Sequence, residues 1–147
     1  MVNYKHMKRL TNLLCIIIIL SATRCGIPKD PRNSFEEAQS SKLKVGVVNN
    51  PPYSYYDEKD AKGTEVMLIE EFGKEKNLEI EYVRGSESEL VEKLEKAEIS
   101  VLIGGFKKKT LWEEKAGLTS PYDKNDHVFL IPKGENRLAF ELESFFK

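Results

Sequence analysis

"TSPYDKNDHVFLIPKGE", Thr119 to Glu135, is the stretch on which the fold turns. A Pro-Tyr pair closes one unit, and only a few polar residues follow it. An apolar run from His127 to Ile131 then begins with the composition of a strand. The chain reads as leaving a unit and rejoining it almost at once. Working outward shows what it rejoins.

Upstream, "ISVLIGG" (Ile99 to Gly105) is a short all-apolar strand of the kind covered on both faces in an α/β sheet. Before it, "SESELVEKLEKAE" opens with Ser86 and Glu89 at capping-box spacing, and Leu90, Val91, Leu94 and Ala97 form its buried stripe. "LEIEYVR" alternates as a strand with one wetter face. "GTEVMLIEEFGKEKN" carries Val66, Ile69 and Phe72 at helical spacing, starting at Gly63 or Thr64 and stopping at Asn77. "KLKVGVV" is the first strand and delivers the chain into the aromatic loop "NNPPYSYY". Downstream, "ENRLAFELESFF" is a last helix with Leu138, Leu142 and Phe145 on one side. Strand, helix, strand, helix, strand predicts an α/β fold with a mostly parallel sheet flanked by helices.

Composition sets the outer limits. The 147 residues suit one domain, and 40% apolar content is enough for a core. The N-terminus reads as an export leader. Its basic start is followed by an apolar run from Leu13 to about Ala22, shorter than a membrane span, and then by Cys25-Gly26. Residues 1–25 are thus expected to be a signal peptide ending at a lipidated Cys25, although Arg24 stands where a small residue is usual. Residues 26–41 read as a flexible tether and 42–147 as the domain. Removing the four basic residues before Cys25 leaves 19 against 24 acidic groups, a net of −5, which argues against nucleic acid as a partner. With Cys15 inside the leader and only His127 in the body, no metal site is expected. His127 reads as a surface or strand-edge residue. No cofactor motif is present, and the sequence has neither a GxSxG elbow nor a P-loop, so the chain reads as a non-enzyme.

Ligands of open α/β sheets gather outside the C-terminal strand ends. Two loops leave such ends. Tyr53, Tyr55 and Tyr56 in the first offer flat faces for stacking, or cap the sheet edge. Gly104 and Gly105 in the second admit an anion to the backbone, or merely turn the chain ahead of Lys107, Lys108 and Lys109.

The run "LKVGVVNNPPYSYY…GTEVMLIEEF…LEKAEISVLIGG…LTSPY" resembles the first lobe of bacterial amino-acid-binding solute-binding proteins of the type II periplasmic kind. The likeness covers about Lys42 to Tyr122. In that family the chain leaves the lobe after this Pro-Tyr, builds a second lobe, and returns as a strand and a helix. "HVFLIPKGENRLAFELESFF" is similar to that return, so the resemblance implies a single lobe from which the second has been lost internally. It also implies a ligand face made of Tyr53, Tyr55, Glu65, Gly104, Gly105, Phe106, Lys107, Thr110, Trp112 and Tyr122. Tyr53 and Trp112 would pack on the solute, the backbone of Gly104 to Phe106 would donate to it, and Lys107 and Glu65 would read its charge. Glu65 has a second reading, as an acid favouring the helix dipole. The family's arginine position is occupied by Trp112, so a planar fork for a carboxylate is missing. The expected partners are a small polar or aromatic solute, the permease of an ABC-type uptake transporter, and the membrane through the lipid anchor. The rival expectation is an interaction module that dimerises or docks through an exposed patch of Tyr53, Phe106, Trp112 and Tyr122. Either way the chain is expected outside the cytoplasm, in the periplasm or on the cell surface.

Overall fold

The computed structural model describes residues 30–147. The expected signal peptide and Cys25 lie outside these residues. Among the described residues there are four helices: α1 (Ser34–Ser40), α2 (Thr64–Lys76), α3 (Glu87–Glu95) and α4 (Asn136–Phe145). The strands are β1 (Leu43–Val47), β2 (Tyr55–Asp57), β3 (Asp60–Lys62), β4 (Ile80–Arg84), β5 (Val101–Lys107), β6 (Gly117–Leu118) and β7 (His127–Ile131).

Five strands make one sheet in the order β4-β1-β5-β7-β6. β1 is parallel to both β4 and β5, as two strand–helix–strand units require. The returning β7 runs antiparallel to β5, and β6 antiparallel to β7, so the sheet is mixed. β2 and β3 form a small separate hairpin in what reads from sequence as a loop. Arg84 holds it down by lying over the Tyr56 ring at 4.0 Å and donating to the Glu58 carbonyl.

Strand periodicity divides the core into two layers. Leu43, Val45, Val47, Val101, Ile103, Phe129 and Ile131 face α1, α2 and α4. Leu102, Phe106, Val128 and Leu130 face α3 with Leu90, Val91 and Leu94. Gly46 leaves room for this layer, since a Cβ there would lie 2.7 Å from Ile99, 2.9 Å from Leu102 and 3.2 Å from Leu90 of α3. Sequence signals set the helix ends. Ser86 and Glu89 close the expected capping box, and Asn77 ends α2 in the left-handed conformation.

The expected flexible tether is corrected from Asp30 onward. Phe35 and Ala38 of α1 are buried in the first core layer, so this segment belongs to the fold. Its polar composition hid a reciprocal clamp. The Glu135 carboxylate accepts the backbone N–H groups of Arg32 (2.9 Å) and Ser34 (2.8 Å) at the start of α1. The Asp30 carboxylate accepts the Arg137 N–H at the start of α4 (2.9 and 3.0 Å). Each segment satisfies free donors of the other's helix.

Candidate functional site

The site is built where β1 and β5 end. Ser54 Oγ donates to the Val48 carbonyl at 2.6 Å, and the Asn50 N–H to the Ser54 carbonyl at 2.7 Å, so the loop after β1 closes on itself. Its Pro51–Pro52 peptide is cis. Asn50 Nδ2 donates to the Gly104 carbonyl at 2.7 Å and ties this loop to β5. The loop carbonyls of Pro52 and Tyr53 accept the N–H groups of Thr64 (3.0 Å) and Glu65 (2.9 Å). The N-terminus of α2 is therefore engaged within the protein rather than offered to a ligand.

Beneath this loop lies Glu65, whose side chain is completely buried. Its carboxylate accepts the N–H of Gly104 at 2.7 Å, the N–H of Gly105 at 3.0 Å, and the hydroxyl of Tyr122. Burial raises its pKa, and the three donors pull back against burial without cancelling it. The Tyr122 hydroxyl is pushed up too, first by burial and then by the Glu65 charge. Glu65 thus fastens α2, the exit of β5 and the Ser120–Tyr122 segment to one another.

Tyr122 also fixes the short connection that leads into β7. Its ring packs on Phe129 and Phe146 and stacks over His127. Asp123 then turns the chain: one oxygen accepts the N–H groups of Asn125 (2.9 Å) and His127 (3.1 Å), and the other meets His127 Nδ1 at 2.7 Å. Burial alone would raise the Asp123 carboxyl, but these bonds hold it below the ordinary range. The exit and re-entry of the chain are sealed by chemistry local to the turn.

The expected ligand residues divide accordingly. Tyr53 is half-buried, its ring 4.6 Å from that of His127 and against Gly105, where a Cβ would lie 2.5 Å from Tyr53 Cδ2. Lys107 is exposed at the end of β5, paired in register with His127. These two residues are brought together at a rim. Thr110 is nearby in sequence, but its hydroxyl accepts the Trp112 N–H.

Several expectations are corrected. Glu65 cannot read a solute's charge, because its oxygens are already used, and the Gly104 and Gly105 N–H groups are spent on Glu65. Phe106 is 7% exposed and belongs to the α3-side core. Trp112 packs against that core and donates Nε1–H to Glu87 at 2.6 Å, which fixes it to α3. Tyr122 is floor rather than rim. Tyr55 lies apart, in a groove of about 480 Å³ with Pro52, Ala61 and Met67. The expected four-residue aromatic patch does not form. His127, expected at the surface, is buried at 2% exposure. Asn50, Asp123 and His127 were missed as structural parts of the site, and only Asp123's position in a short polar turn pointed to its role. Among the described residues no group of His, Cys, Asp and Glu could hold a metal, and no helix is long and apolar enough to cross a membrane.

The model of the bacterial extracellular solute-binding proteins, family 3, matches residues 43–142. The chain belongs to that family. Family membership makes it an exported protein with a solute-binding fold. Among solved structures, the arginine-bound form of domain 1 from TmArgBP matches at TM-score 0.67 and 21% identity, over 76% of this chain and 95% of that one. The ancestral amino acid-binding protein AncCDT-1, a precursor of cyclohexadienyl dehydratase, matches at TM-score 0.67 and 12% identity over 76% and 90%. A mutant of ArgBP from T. maritima matches at TM-score 0.55 and 25% identity over 61% of this chain and 41% of that one. The family-3 fold seen here is thus one domain of such proteins. No curated protein matches the sequence.

Proposed function

We propose that this chain is the exported solute-binding part of an ABC-type uptake system, lipid-anchored through Cys25. Its single lobe holds a small carboxylate-bearing solute of the amino-acid class and does no chemistry on it. The observation that carries this reading is the rim itself. Lys107, Lys108 and Lys109 are exposed just after Gly105, against which Tyr53 packs, and the ladder hydrogen bonds end at Lys108. Lysine supplies a point charge where the guanidinium fork is missing, and Tyr53 supplies a flat contact. An arginine-bound domain 1 among the structural relatives supports single-lobe binding.

Binding on one open lobe is weak, because a ligand there keeps much of its surface in water. A Kd on the order of 1 mM, about −4 kcal/mol, is expected. Titration calorimetry with a panel of amino acids and dicarboxylates tests it. Heat that disappears in Tyr53→Ala and in the triple Lys107→Ala, Lys108→Ala, Lys109→Ala variant upholds the reading. No heat from any solute, with the near-UV dichroism of a folded protein, sinks it.

One observation favours a second reading, that of an interaction module. Leu111 is 94% exposed at the same rim. A partner or a second copy covering it would supply the wall that one lobe lacks. Concentration-dependent sedimentation abolished by Leu111→Ser would favour this reading over solute binding.

A further inference from the structure

His127 is a buried titratable group that solute binding, as proposed above, leaves without a role. It stands at the start of β7 against two aromatic rings, that of Tyr53 at 4.6 Å between centroids and that of Tyr122 at 6.0 Å. Tyr53 is also confined by Gly105, where a Cβ would lie 2.5 Å from Tyr53 Cδ2. The Tyr53 ring is thus seated on the Gly105 backbone and on the imidazole.

Asp123 sets the chemistry of that imidazole. Its hydrogen bonds hold its carboxyl below the ordinary range, so it is ionised and only accepts. Nδ1, 2.7 Å from an Asp123 oxygen, therefore carries the hydrogen of this bond in the neutral and the charged ring alike. Nε2 is the atom that gains the second proton. The Asp123 side chain is partly exposed, so the pair meets water.

The charged groups around the ring come from three places. Asp123 meets it from the turn, where Lys124 and Asp126 are exposed. Glu65 of α2 lies close enough for the charge of His127 to act on its carboxyl. Lys107 of β5 is its partner in register, with its side chain in solvent. The phenols of Tyr53 and Tyr122 complete the surroundings.

We infer that the Asp123–His127 pair positions Tyr53 for the solute and does so through charge: an imidazolium holds the Tyr53 ring in place, and a neutral imidazole releases it. This rests on the reading of Tyr53 as the solute contact. A cation within about 6 Å of a tyrosine ring is attracted to its face, an attraction worth about two- to fivefold in an equilibrium. His127 acts through Tyr53 and need not touch the solute. Protonation pins the ring, so solute affinity falls by that factor as pH rises through the titration of His127. By reciprocity, bound solute makes His127 hold its proton more tightly by the same factor.

The test uses the full chain, 15N-labelled in detergent micelles, from about pH 5 to pH 8. Imidazole 15N signals read the charge of His127, and His127→Gln separates them from those of His6. Calorimetry at each pH measures the affinity for L-phenylalanine and L-glutamate. A two- to fivefold fall in affinity, with the same midpoint as the His127 signals, is expected. Asp123→Asn should lower both midpoints together, because it removes the carboxylate that favours the charged ring. His127→Gln should abolish the pH dependence. If His127 only fills space, affinity stays flat while the ring titrates, and the inference is overturned. An affinity that follows another midpoint, such as that of Glu65, overturns it too. If neither probe binds at any pH, nuclear Overhauser contacts between His127 and the Tyr53 ring decide. Contacts that weaken as His127 loses its proton uphold the positioning pair while the solute reading falls. Contacts that stay constant overturn the pair as well.

Discussion

Glu65 carries opposing demands on one buried carboxylate. Replaced by Gln, it keeps one acceptor oxygen but turns an amide donor toward backbone N–H groups, at a cost of about 1–3 kcal/mol. Its pKa is raised in the fold. Its stabilisation is therefore present below the unfolded value near 4.3 and is lost as pH rises through the folded one. Gln cannot ionise, so the stability gap between wild type and Glu65→Gln should narrow as pH rises. Urea midpoints measured across that range check the sign, and a widening gap would refute it. Asp123 has the opposite sign, since its pKa is lowered and its stabilisation is lost as pH falls. Asp123→Ala strands two backbone donors and should cost about 1–2 kcal/mol at neutral pH, with Asp123→Asn milder. At Gly105, φ is +67° and Tyr53 occupies the space for a Cβ. Gly105→Ala should weaken solute binding by displacing Tyr53 and cost about 1–3 kcal/mol in backbone strain, measurable by calorimetry and denaturation.

At the scale of elements, the clamp between α1 and α4 makes two distant segments one unit. Asp30→Ala or Glu135→Ala should each cost about 1–2 kcal/mol, as lost helix caps do. The double variant should cost less than the sum, because releasing one partner already loosens the docking of the other. A double-mutant cycle by chemical denaturation decides this, and strict additivity would mean that the two caps act alone. Secondary structure was mostly legible beforehand. The capping box at Ser86 and Glu89 and the stop at Asn77 depend on local backbone satisfaction, which sequence spacing encodes. The hairpin of β2 and β3 and the helix α1 were not legible. Arg84 over Tyr56 holds the first, and burial of Phe35 with Glu135's cap holds the second. Both partners come from far along the chain.

For the whole molecule, the described lobe packs two core layers, one on each side of its sheet. Loss of Phe35 burial through Phe35→Ala should cost about 3–5 kcal/mol, since α1 lies over the first core layer. A change under 1 kcal/mol in denaturant unfolding would mean that α1 is dispensable. What the sequence determined by itself was the order of strands and helices, the export leader as an expectation, and the return of the chain after Pro121-Tyr122. Those features rest on periodicity and on neighbours a few residues apart. Only the tertiary structure decided which candidate residues are already engaged within the fold. Glu65, Phe106, Trp112 and Tyr122 have types suited to recognition, but distant partners consume them: Gly104 and Gly105, the α3 core, Glu87, and Glu65 itself. A polar or aromatic side chain is free to bind only if the fold has not already satisfied it, and contacts across dozens of residues settle that.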